Sequence, residues 1–495
     1  MSQSVEVCII GAGVSGLKAA QHLIKNSKYS AEDIVILEAQ DRIGGRLYTD
    51  RTSSKLGYSY DLGASWFHDC LTNVLFQHFY SGEDNDVFDI SKDGYFDDKP
   101  ECMFEKDLTG PVSEAKTKVG TIIHDIEKFI ELYFLEHLSL EEDKSVKEMV
   151  DLYLLKYSKL LTEEEIKYAK VAMRYVELWH GVSWDKLSAR YSILQHQGRN
   201  LFNAKGYDVI IDWLLKDIPR ERILLESPVS KINRHVSNSD KRISVETKNG
   251  TVIHCNYLVV SVPLSILSLE SSSDYGITWE PPLPETMTAA LQKIHFGGLG
   301  KVVFEFDSIW WDMNQDRFSM IPKLTQSNEI FEELTSLPEP WSYPATAINY
   351  SAVRSKQDGT AAKGGSLVIL TQSPLSNYLE KHPHEAWTYF KPMLSKIAVK
   401  EMPNEPITTI TTEWSSNPYI RGAYGTIFTG DDPVNASIQL SGQVPGAGIS
   451  SSTIRFAGEH TATEGEGCVN GAWMSGEREA NWIMEHAGKS LKPLL

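Results

Sequence analysis

Residues 5–20 read VEVCIIGAGVSGLKAA, and this stretch decides the fold. The apolar run Val5–Ile10 has the character of a buried strand, and a helical pattern extends from about Val14 to Lys25. A second apolar run, Ile34–Leu37, predicts the next strand. Because strand, glycine turn, helix and strand follow one another directly, the sequence predicts a βαβ unit with parallel strands and an α/β fold.

The glycines of this turn indicate that it binds a phosphate group. Gly11, Gly13 and Gly16 allow a tight turn and let a pyrophosphate approach the unpaired N–H groups at the start of the helix. Glu38 ends the second strand about 20 residues beyond Gly16, where a carboxylate can accept hydrogen bonds from adenosine ribose hydroxyls. The spacing therefore predicts a dinucleotide site.

Composition places the chain among globular proteins. Its 495 residues, 41% hydrophobic and 23% charged, suffice for two or three domain-sized units. The 48 basic and 66 acidic residues give a net charge of -18, which disfavours nucleic acid and anionic membranes as partners. This charge either steers cationic ligands or serves solubility alone. Five cysteines without a Cys-x-x-Cys pair indicate neither a disulfide framework nor a metal site. Since neither a leader nor a membrane span is recognisable, we expect a cytoplasmic protein.

Beyond the first unit, helical and extended segments alternate. Residues 114–190 carry apolar side chains at helical spacing and predict a helical insertion. An Asn249-Gly250 turn joins two predicted strands within residues 243–255, and another strand follows at 258–262. The remaining predictions are strands at 301–306, 345–350, 366–371 and 408–414, a helix at 384–397 and a surface loop at 351–365.

Two motifs far apart in the chain resemble the flavin-containing amine oxidases. The first is EAQDRIGGR at residues 38–46, where a second glycine turn is flanked by arginines suited to a diphosphate. The second comprises RFAGEHT at 455–461 and GAWMSG at 471–476. Within the family the chain is most similar to fungal polyamine oxidases, and a steroid-binding yeast protein resembles the same group.

This resemblance implies a two-domain flavoprotein of the glutathione-reductase type. An FAD-binding domain of Rossmann type is expected from three discontinuous segments, residues 1–78, 203–297 and 411–495. An α+β substrate-binding domain is expected from residues 79–202 and 298–410. Catalysis is expected where the two domains meet.

The resemblance also implies which residues hold FAD. Those expected around its adenosine diphosphate and ribityl parts are Gly11, Gly13, Gly16, Glu38, Arg46 and Glu459, with the Val229 backbone at the adenine. Those expected around the isoalloxazine are Ala64, Ser65, Trp66, Trp414, Cys468 and Val469. Core packing is the alternative for the two tryptophans. Further expected cofactor contacts are Ser15, Ala39, Arg42, Gly45, Gly63 and Gly458. Ala423 stands where monoamine oxidases have the flavin-linking cysteine, so FAD is expected to bind non-covalently.

For catalysis the resemblance implies a lysine, Lys301, that contacts flavin N5 through a water. Burial is expected to lower its pKa. His68 and Asn200 are the expected polar partners that select which substrate nitrogen lies at N5, with plain packing as the alternative for His68. Trp179 and Tyr424 are expected to wall a tunnel and to hold charged ammoniums by cation–π contact.

The resemblance implies oxidation of a polyamine, with spermine as the favoured substrate. Hydride would pass to flavin N5, and dioxygen would reoxidise the flavin to give hydrogen peroxide, spermidine and 3-aminopropanal. The chain departs from the family at Cys468 and Asn470, where aromatic residues are usual, so substrate preference stays open. Two alternatives remain: a flavin oxidoreductase for a neutral substrate, and a flavoprotein that binds a steroid or another hydrophobic ligand without turnover. The expected state is a monomer or homodimer.

Overall fold

The structure is a computed structural model that describes residues 2–82, 84, 87–96, 99–139, 142–193, 198–234, 241–323, 333–358, 364–442, 444, 447–449 and 453–489. Within these residues the strands are β1 (Ser2–Ser4), β2 (Val7–Ile10), β3 (Ile34–Leu37), β4 (Thr49–Asp50), β5 (Tyr60–Asp61), β6 (Trp66–Phe67), β7 (Gly94–Phe96), β8 (Cys102–Phe104), β9 (Leu201–Asn203), β10 (Ile223–Leu224), β11 (Val229–Asn233), β12 (Ile243–Thr247), β13 (Val252–Cys255), β14 (Tyr257–Val260), β15 (Thr278–Glu280), β16 (His295–Gly297), β17 (Leu299–Phe306), β18 (Arg317–Met320), β19 (Ala345–Asn349), β20 (Gly365–Gln372), β21 (Thr408–Thr411), β22 (Tyr424–Thr426) and β23 (Ile454–Phe456). The helices are α1 (Val14–Asn26), α2 (Val74–Ser81), α3 (Ile90–Asp93), α4 (Glu114–Thr117), α5 (Val119–Glu136), α6 (Val146–Tyr157), α7 (Glu163–Ala172), α8 (Tyr175–His180), α9 (Ala189–Ser192), α10 (Asp208–Leu214), α11 (Leu264–Leu267), α12 (Glu285–Leu291), α13 (Tyr350–Asp358), α14 (Leu375–Lys381), α15 (Ala386–Leu394), α16 (Pro433–Ser441) and α17 (Val469–Lys489).

The strands predicted first belong to a five-stranded parallel sheet, ordered β10-β3-β2-β14-β23. β2 and β3 are the two strands predicted first, and α1 connects them, beginning at Val14 as predicted. Every residue of β2 and β14 is buried, as expected of central strands covered on both faces. Leu17 of α1 shares a core with Ala480 and Ile483 of α17. The predicted α/β class with a Rossmann-type unit is confirmed.

The opposite face of this sheet is covered by a second sheet, β1-β13-β12-β11-β15. Cys8 and Ile10 of β2 pack there against Val245 and Ile253. β12 and β13 form the predicted hairpin, and Gly250 in its turn has a φ of 82°, which favours glycine.

A six-stranded sheet, ordered β21-β17-β20-β19-β18-β8, carries the predicted catalytic lysine. Lys301 lies on β17, opposite Leu370 of the antiparallel strand β20. A separate aromatic core, which includes Phe304, Trp310 and Trp387, packs behind this sheet. The strand that carries the lysine is thus hydrogen-bonded on both sides, to β20 and to the edge strand β21.

Helices α4 to α9 form the predicted helical insertion. Ile122, Ile126 and Ile130 of α5 repeat every four residues and are buried together with Met149 and Val150 of α6. The opposite side of α5 does not take part in this core. Along the described residues, no helix combines the length and the apolar character needed to cross a bilayer.

The predicted surface loop at residues 351–365 is wrong in its first half. α13 continues there as far as Asp358, and residues 359–363 lie outside the described part of the chain. Val353 is buried beside Tyr60. A composition rich in serine and lysine concealed this short apolar face. The division of the chain into an FAD-binding and a substrate-binding domain at the predicted boundaries stays a prediction.

Candidate active site

One cavity of about 990 Å³ joins the first glycine turn to the helical insertion. Its wall includes the carboxyl ends of β2 and β3, the turn between β5 and β6, strand β17 and the start of α17. The predicted site residues that line it are Gly11, Gly13, Ser15, Glu38, Ala39, Gly45, Arg46, Gly63, Ala64, Ser65, Trp66, His68, Trp179, Asn200, Val229, Lys301, Trp414, Tyr424, Gly458, Glu459, Cys468 and Val469. The predicted residues that do not line it are Gly16, Arg42 and Asn470.

The N-terminus of α1 opens into this cavity. Gly13 occupies the N-cap position and has no side chain with which to cap the helix. A Cβ placed on Gly13 would meet nothing within 4 Å, so the space in front of the first helical turn is open. Uncapped N–H groups and the positive end of the helix dipole attract a phosphate. The residues present therefore fit the diphosphate of a dinucleotide.

Gly16 lies outside the cavity wall but determines where the helix sits. A Cβ on Gly16 would lie 2.0 Å from the carbonyl oxygen of Gly11, so only glycine allows α1 to start this close to the turn. Gly45, with a φ of 58°, brings the second glycine turn close behind the first, since its Cβ position would be 3.3 Å from the Cα of Gly13. The two turns form one continuous rim.

Glu38 faces the same end of the cavity. Its carboxylate accepts hydrogen bonds from the N–H groups of Ala12 at 2.8 Å and Gln40 at 2.9 Å. Burial raises the pKa of Glu38, although these hydrogen bonds oppose the increase. The side chain is held in one orientation, which suits recognition of a ribose.

Arg46 and Glu459 join the two motifs that are distant in the sequence. Arg46 Nη1 donates to Glu459 Oε1 at 2.9 Å and to the carbonyl oxygen of Ala423 at 2.7 Å. Burial alone would raise the pKa of Glu459, but the charge and hydrogen bond of Arg46 and the N–H of Gly467 lower it. An ionised pair therefore lies at the cavity wall.

Arg42 and Asn470 contact turns rather than the cavity. The Arg42 guanidinium donates to the carbonyl oxygen of Gly45 at 2.6 Å and lies 4.8 Å from the centre of the Tyr48 ring. The Asn470 amide covers the turn before α17, since a Cβ on Gly465 would meet its nitrogen at 2.4 Å. Both residues therefore support the cavity wall without lining it.

Lys301 is buried in the cavity wall, with 6% of its surface exposed. Its Nζ donates to the carbonyl oxygens of Asp61 at 2.7 Å and Gly63 at 2.6 Å, and to Ser65 Oγ at 2.5 Å. Burial lowers its pKa to about 8. A lysine of this kind can hold or release a proton near neutral pH.

Each of the two predicted tryptophans both packs in the protein interior and lines the cavity. The Trp66 ring lies 5.6 Å from Lys301 Nζ and packs edge-on against Phe202. Trp414 is buried, and its indole N–H donates to the carbonyl oxygen of Leu62 at 2.8 Å. Packing and a cavity-lining role are therefore compatible.

Four predicted substrate-contacting residues line the cavity as two hydrogen-bonded pairs. His68 Nδ1 lies 3.1 Å from Asn200 Oδ1, and the Asn73 side chain donates to the His68 carbonyl oxygen at 2.8 Å. The Tyr424 hydroxyl donates to the carbonyl oxygen of Trp179. Burial raises the pKa of Tyr424, so its phenol stays neutral. The arrangement offers two aromatic rings and one polar pair to a ligand.

The part of the cavity wall formed by the helical insertion contains polar and charged residues that the motifs did not reveal. α5 contributes four that repeat at three- and four-residue spacing on one face: His124, Glu127, Lys128 and Glu131. The Tyr175 hydroxyl donates to Glu127. At another point of the wall, burial raises the pKa of Glu466 to about 8. The four α5 residues could have been found from the sequence, because they form a polar face opposite the buried apolar face of that helix.

Comparison with known proteins assigns the family. The family described as flavin containing amine oxidoreductase matches residues 14–484. The chain belongs to the flavin-containing amine oxidoreductases. Membership implies a flavin cofactor, and the resemblance predicted from the two motifs is confirmed.

Relatives of this flavin-containing amine oxidoreductase include one protein named for steroid binding and others named as polyamine oxidases. A corticosteroid-binding protein of Candida albicans is 49% identical, over 98% of this chain and 97% of that protein. Polyamine oxidase 4 of Oryza sativa is 24% identical, over 95% and 86% of the two chains. The human peroxisomal N(1)-acetyl-spermine/spermidine oxidase is 23% identical, over 97% and 94%.

A solved structure of a redesigned putrescine oxidase variant has the same fold. Its TM-score is 0.66 at 16% identity, covering 98% of this oxidoreductase and 100% of that chain. Of the described residues that line the cavity, only Cys468 carries a thiol. In the described part of the chain, no group of three or more His, Cys, Asp or Glu side chains is placed to hold a metal ion.

Proposed function

We propose that this flavin-containing amine oxidoreductase binds FAD non-covalently and oxidises polyamines, with spermine as the favoured substrate. One observation carries the proposal. The same cavity is lined by the uncapped N-terminus of α1, by the buried Lys301 and by the α5 carboxylates of Glu127 and Glu131. Spermine, water and dioxygen would give spermidine, 3-aminopropanal and hydrogen peroxide.

The cofactor end of the cavity supports FAD. The open N-terminus of α1 suits the diphosphate, and the oriented carboxylate of Glu38 suits the adenosine ribose. Ala423 has no side chain that could form a thioether. Bound FAD would accept the electron pair from the carbon next to an amine nitrogen, and dioxygen would accept it afterwards.

The substrate end supports a cation with several charges. Glu127 and Glu131 would attract the outer ammonium groups, and the rings of Trp179 and Tyr424 offer cation–π contact. The reacting nitrogen must lose its proton and its water shell before oxidation. Lys301, with a pKa of about 8, would hold or release a proton at that end.

A second candidate is binding of a steroid without turnover, because the relative at 49% identity is named a corticosteroid-binding protein. Apolar side chains such as Ile193, Leu299 and Ile348 line part of the cavity. Such binding would give no role to a buried lysine in the wall. An oxidoreductase for a neutral substrate would leave the α5 carboxylates only their partners within the protein, Tyr175 for Glu127 and Lys128 for Glu131.

Anaerobic addition of spermine to the flavin-loaded protein tests the proposal, with the long-wavelength flavin absorbance as the signal. We expect bleaching that air reverses with formation of hydrogen peroxide. An unchanged spectrum with spermine, spermidine and their acetylated forms would contradict it, and a shift without bleaching on addition of a corticosteroid would favour the second candidate. After acid precipitation, flavin in the supernatant is the expected sign of non-covalent binding.

A further inference from the structure

Behind the cavity wall lies Asp61, a buried acidic residue whose backbone contacts the lysine. The backbone carbonyl oxygen of Asp61, at the end of β5, accepts the hydrogen bond from Lys301 Nζ at 2.7 Å. Each residue is 6% exposed, but only Lys301 lines the cavity. In surroundings shielded from water, charges act on each other more strongly than in solution.

The Asp61 carboxylate is held from the side away from the cavity. Thr49, its partner on β4, donates through Oγ1 at 2.5 Å, and the Tyr207 N–H donates to the two carboxylate oxygens at 3.1 and 3.2 Å. Burial raises the pKa of Asp61 to about 6 in spite of these hydrogen bonds. The hydrogen bonds from Thr49 and Tyr207 favour the ionised form of the carboxylate.

We infer that Asp61 is a positioning residue that keeps Lys301 protonated and, through its backbone carbonyl, directed at the turn of residues 63–65. An anion beside a buried ammonium favours the charged form of that ammonium. Two influences oppose each other at the lysine: burial lowers its pKa, and the charge of Asp61 raises it. The inference rests on the proposed function, in which Lys301 holds or releases a proton at the reacting end.

The other titratable groups around this pair have weaker or opposite effects. Asp208, at the start of α10, raises the pKa of Asp61 but is itself paired with Arg51 at 2.7 Å. Burial raises the pKa of the Tyr207 and Tyr350 hydroxyls, so both stay neutral in the working range. Among the described groups, Asp61 is therefore the charge that supports the ammonium.

Asp61→Asn tests the inference in the flavin-loaded protein. Asparagine keeps the shape of the side chain and still accepts from the Tyr207 N–H, so the fold is expected to persist. The pH midpoint for flavin reduction by spermine should move down by about one unit, because Lys301 loses its neighbouring anion. Thr49→Val, which removes a donor that stabilises the carboxylate, should shift the midpoint in the same direction by less.

A second readout is independent of the reaction. Because the folded-state pKa of Lys301 lies below its ordinary value of 10.5, folding stability rises with pH between about 8 and 10.5. In Asp61→Asn the rise should begin at lower pH. Denaturation curves are measured across this range for the wild type and for Asp61→Asn, each with and without Lys301→Met. In each background, the difference in unfolding free energy between the proteins with and without Lys301→Met isolates the contribution of the lysine.

Asp208→Asn is the matched control, because it removes an equal charge that raises the pKa of Asp61 and that is paired with Arg51 rather than with the lysine. Its removal favours ionised Asp61, so the lysine midpoint should stay or rise. Unchanged midpoints in Asp61→Asn by both readouts, or an equal downward shift in Asp208→Asn, would overturn the inference. If spermine does not reduce the wild-type flavin, the proposed function fails, and the denaturation curves still decide the role of Asp61.

Discussion

At the scale of single residues, Lys301 offers the most direct test of the proposed chemistry. We expect Lys301→Met to retain flavin but to slow its reduction by spermine about 100-fold, since a positioned proton-transfer group contributes on this order. Anaerobic stopped-flow absorbance measures the rate, and the ratio of flavin to protein absorbance measures retention. Lys400→Met, at an exposed lysine, is the control and should match the wild type. An unchanged rate in Lys301→Met would show that the ammonium takes no part.

The ion pair at the cavity wall predicts a pH-dependent loss of stability. Because its folded-state pKa is lowered, Glu459 contributes stability that is present above its ordinary value of 4.5 and is lost as pH falls through the folded value. Glu459→Gln should therefore cost about 3 kcal/mol at neutral pH, and the difference from the wild type should shrink below about pH 4.5. Urea denaturation at several pH values measures this. The exposed Glu464→Gln should show no such difference.

Most of the residues predicted from the motifs and the family resemblance line the cavity, but neither source indicated what lies behind its wall. Glycines and an acid at fixed spacing indicate a diphosphate site because the backbone geometry there tolerates few alternatives. Asp61 gave no signal, since its importance depends on Thr49 and Tyr207, which are brought beside it by strand pairing and by a distant turn. Contacts made between segments remote in sequence are the part that patterns along the chain cannot reveal.

At the scale of elements, two glycines at the start of α1 have separable roles. Gly16→Ala should destabilise the protein by about 1–3 kcal/mol, because the new methyl group would collide with the Gly11 carbonyl. Gly13→Ala, with open space around its Cβ and a φ of -80°, should fold normally but bind flavin weakly, since the methyl group enters the diphosphate site. Thermal unfolding and flavin content measure the two effects. Equal loss of stability in both variants would contradict this assignment.

Segments predicted from strong apolar periodicity lie where expected, whereas the predicted loop at residues 351–365 contains most of the short helix α13. β2, α1 and β3 lie where the apolar runs placed them, as do the hairpin of β12 and β13 and the buried face of α5. α13 was missed because its stability comes from the burial of a few side chains such as Val353 rather than from its own sequence. A helix that depends on tertiary contacts leaves little trace in local composition.

At the scale of the whole molecule, the net charge of -18 predicts how association depends on salt. If spermine is the substrate, kcat/KM should fall several-fold as ionic strength rises from about 0.01 to 0.15 M, because screening shortens the reach of the field from about 30 to 8 Å. Steady-state kinetics over a salt series measures this. An acetylated spermine, which carries less charge, is the matched comparison and should respond less. Equal responses would assign the charge to solubility alone.

The position of β23 and α17 in the chain has a consequence for biosynthesis. β23 is the last strand of the parallel sheet, pairing with β14, and α17 packs so closely on α1 that a Cβ on Gly476 would lie 2.2 Å from the Ser15 carbonyl oxygen. A ribosome releases the glycine turn at residues 11–16 well before β23 and α17. A nascent chain therefore cannot complete the parallel sheet or close the glycine turn against α17 until both of these elements have also left the ribosome.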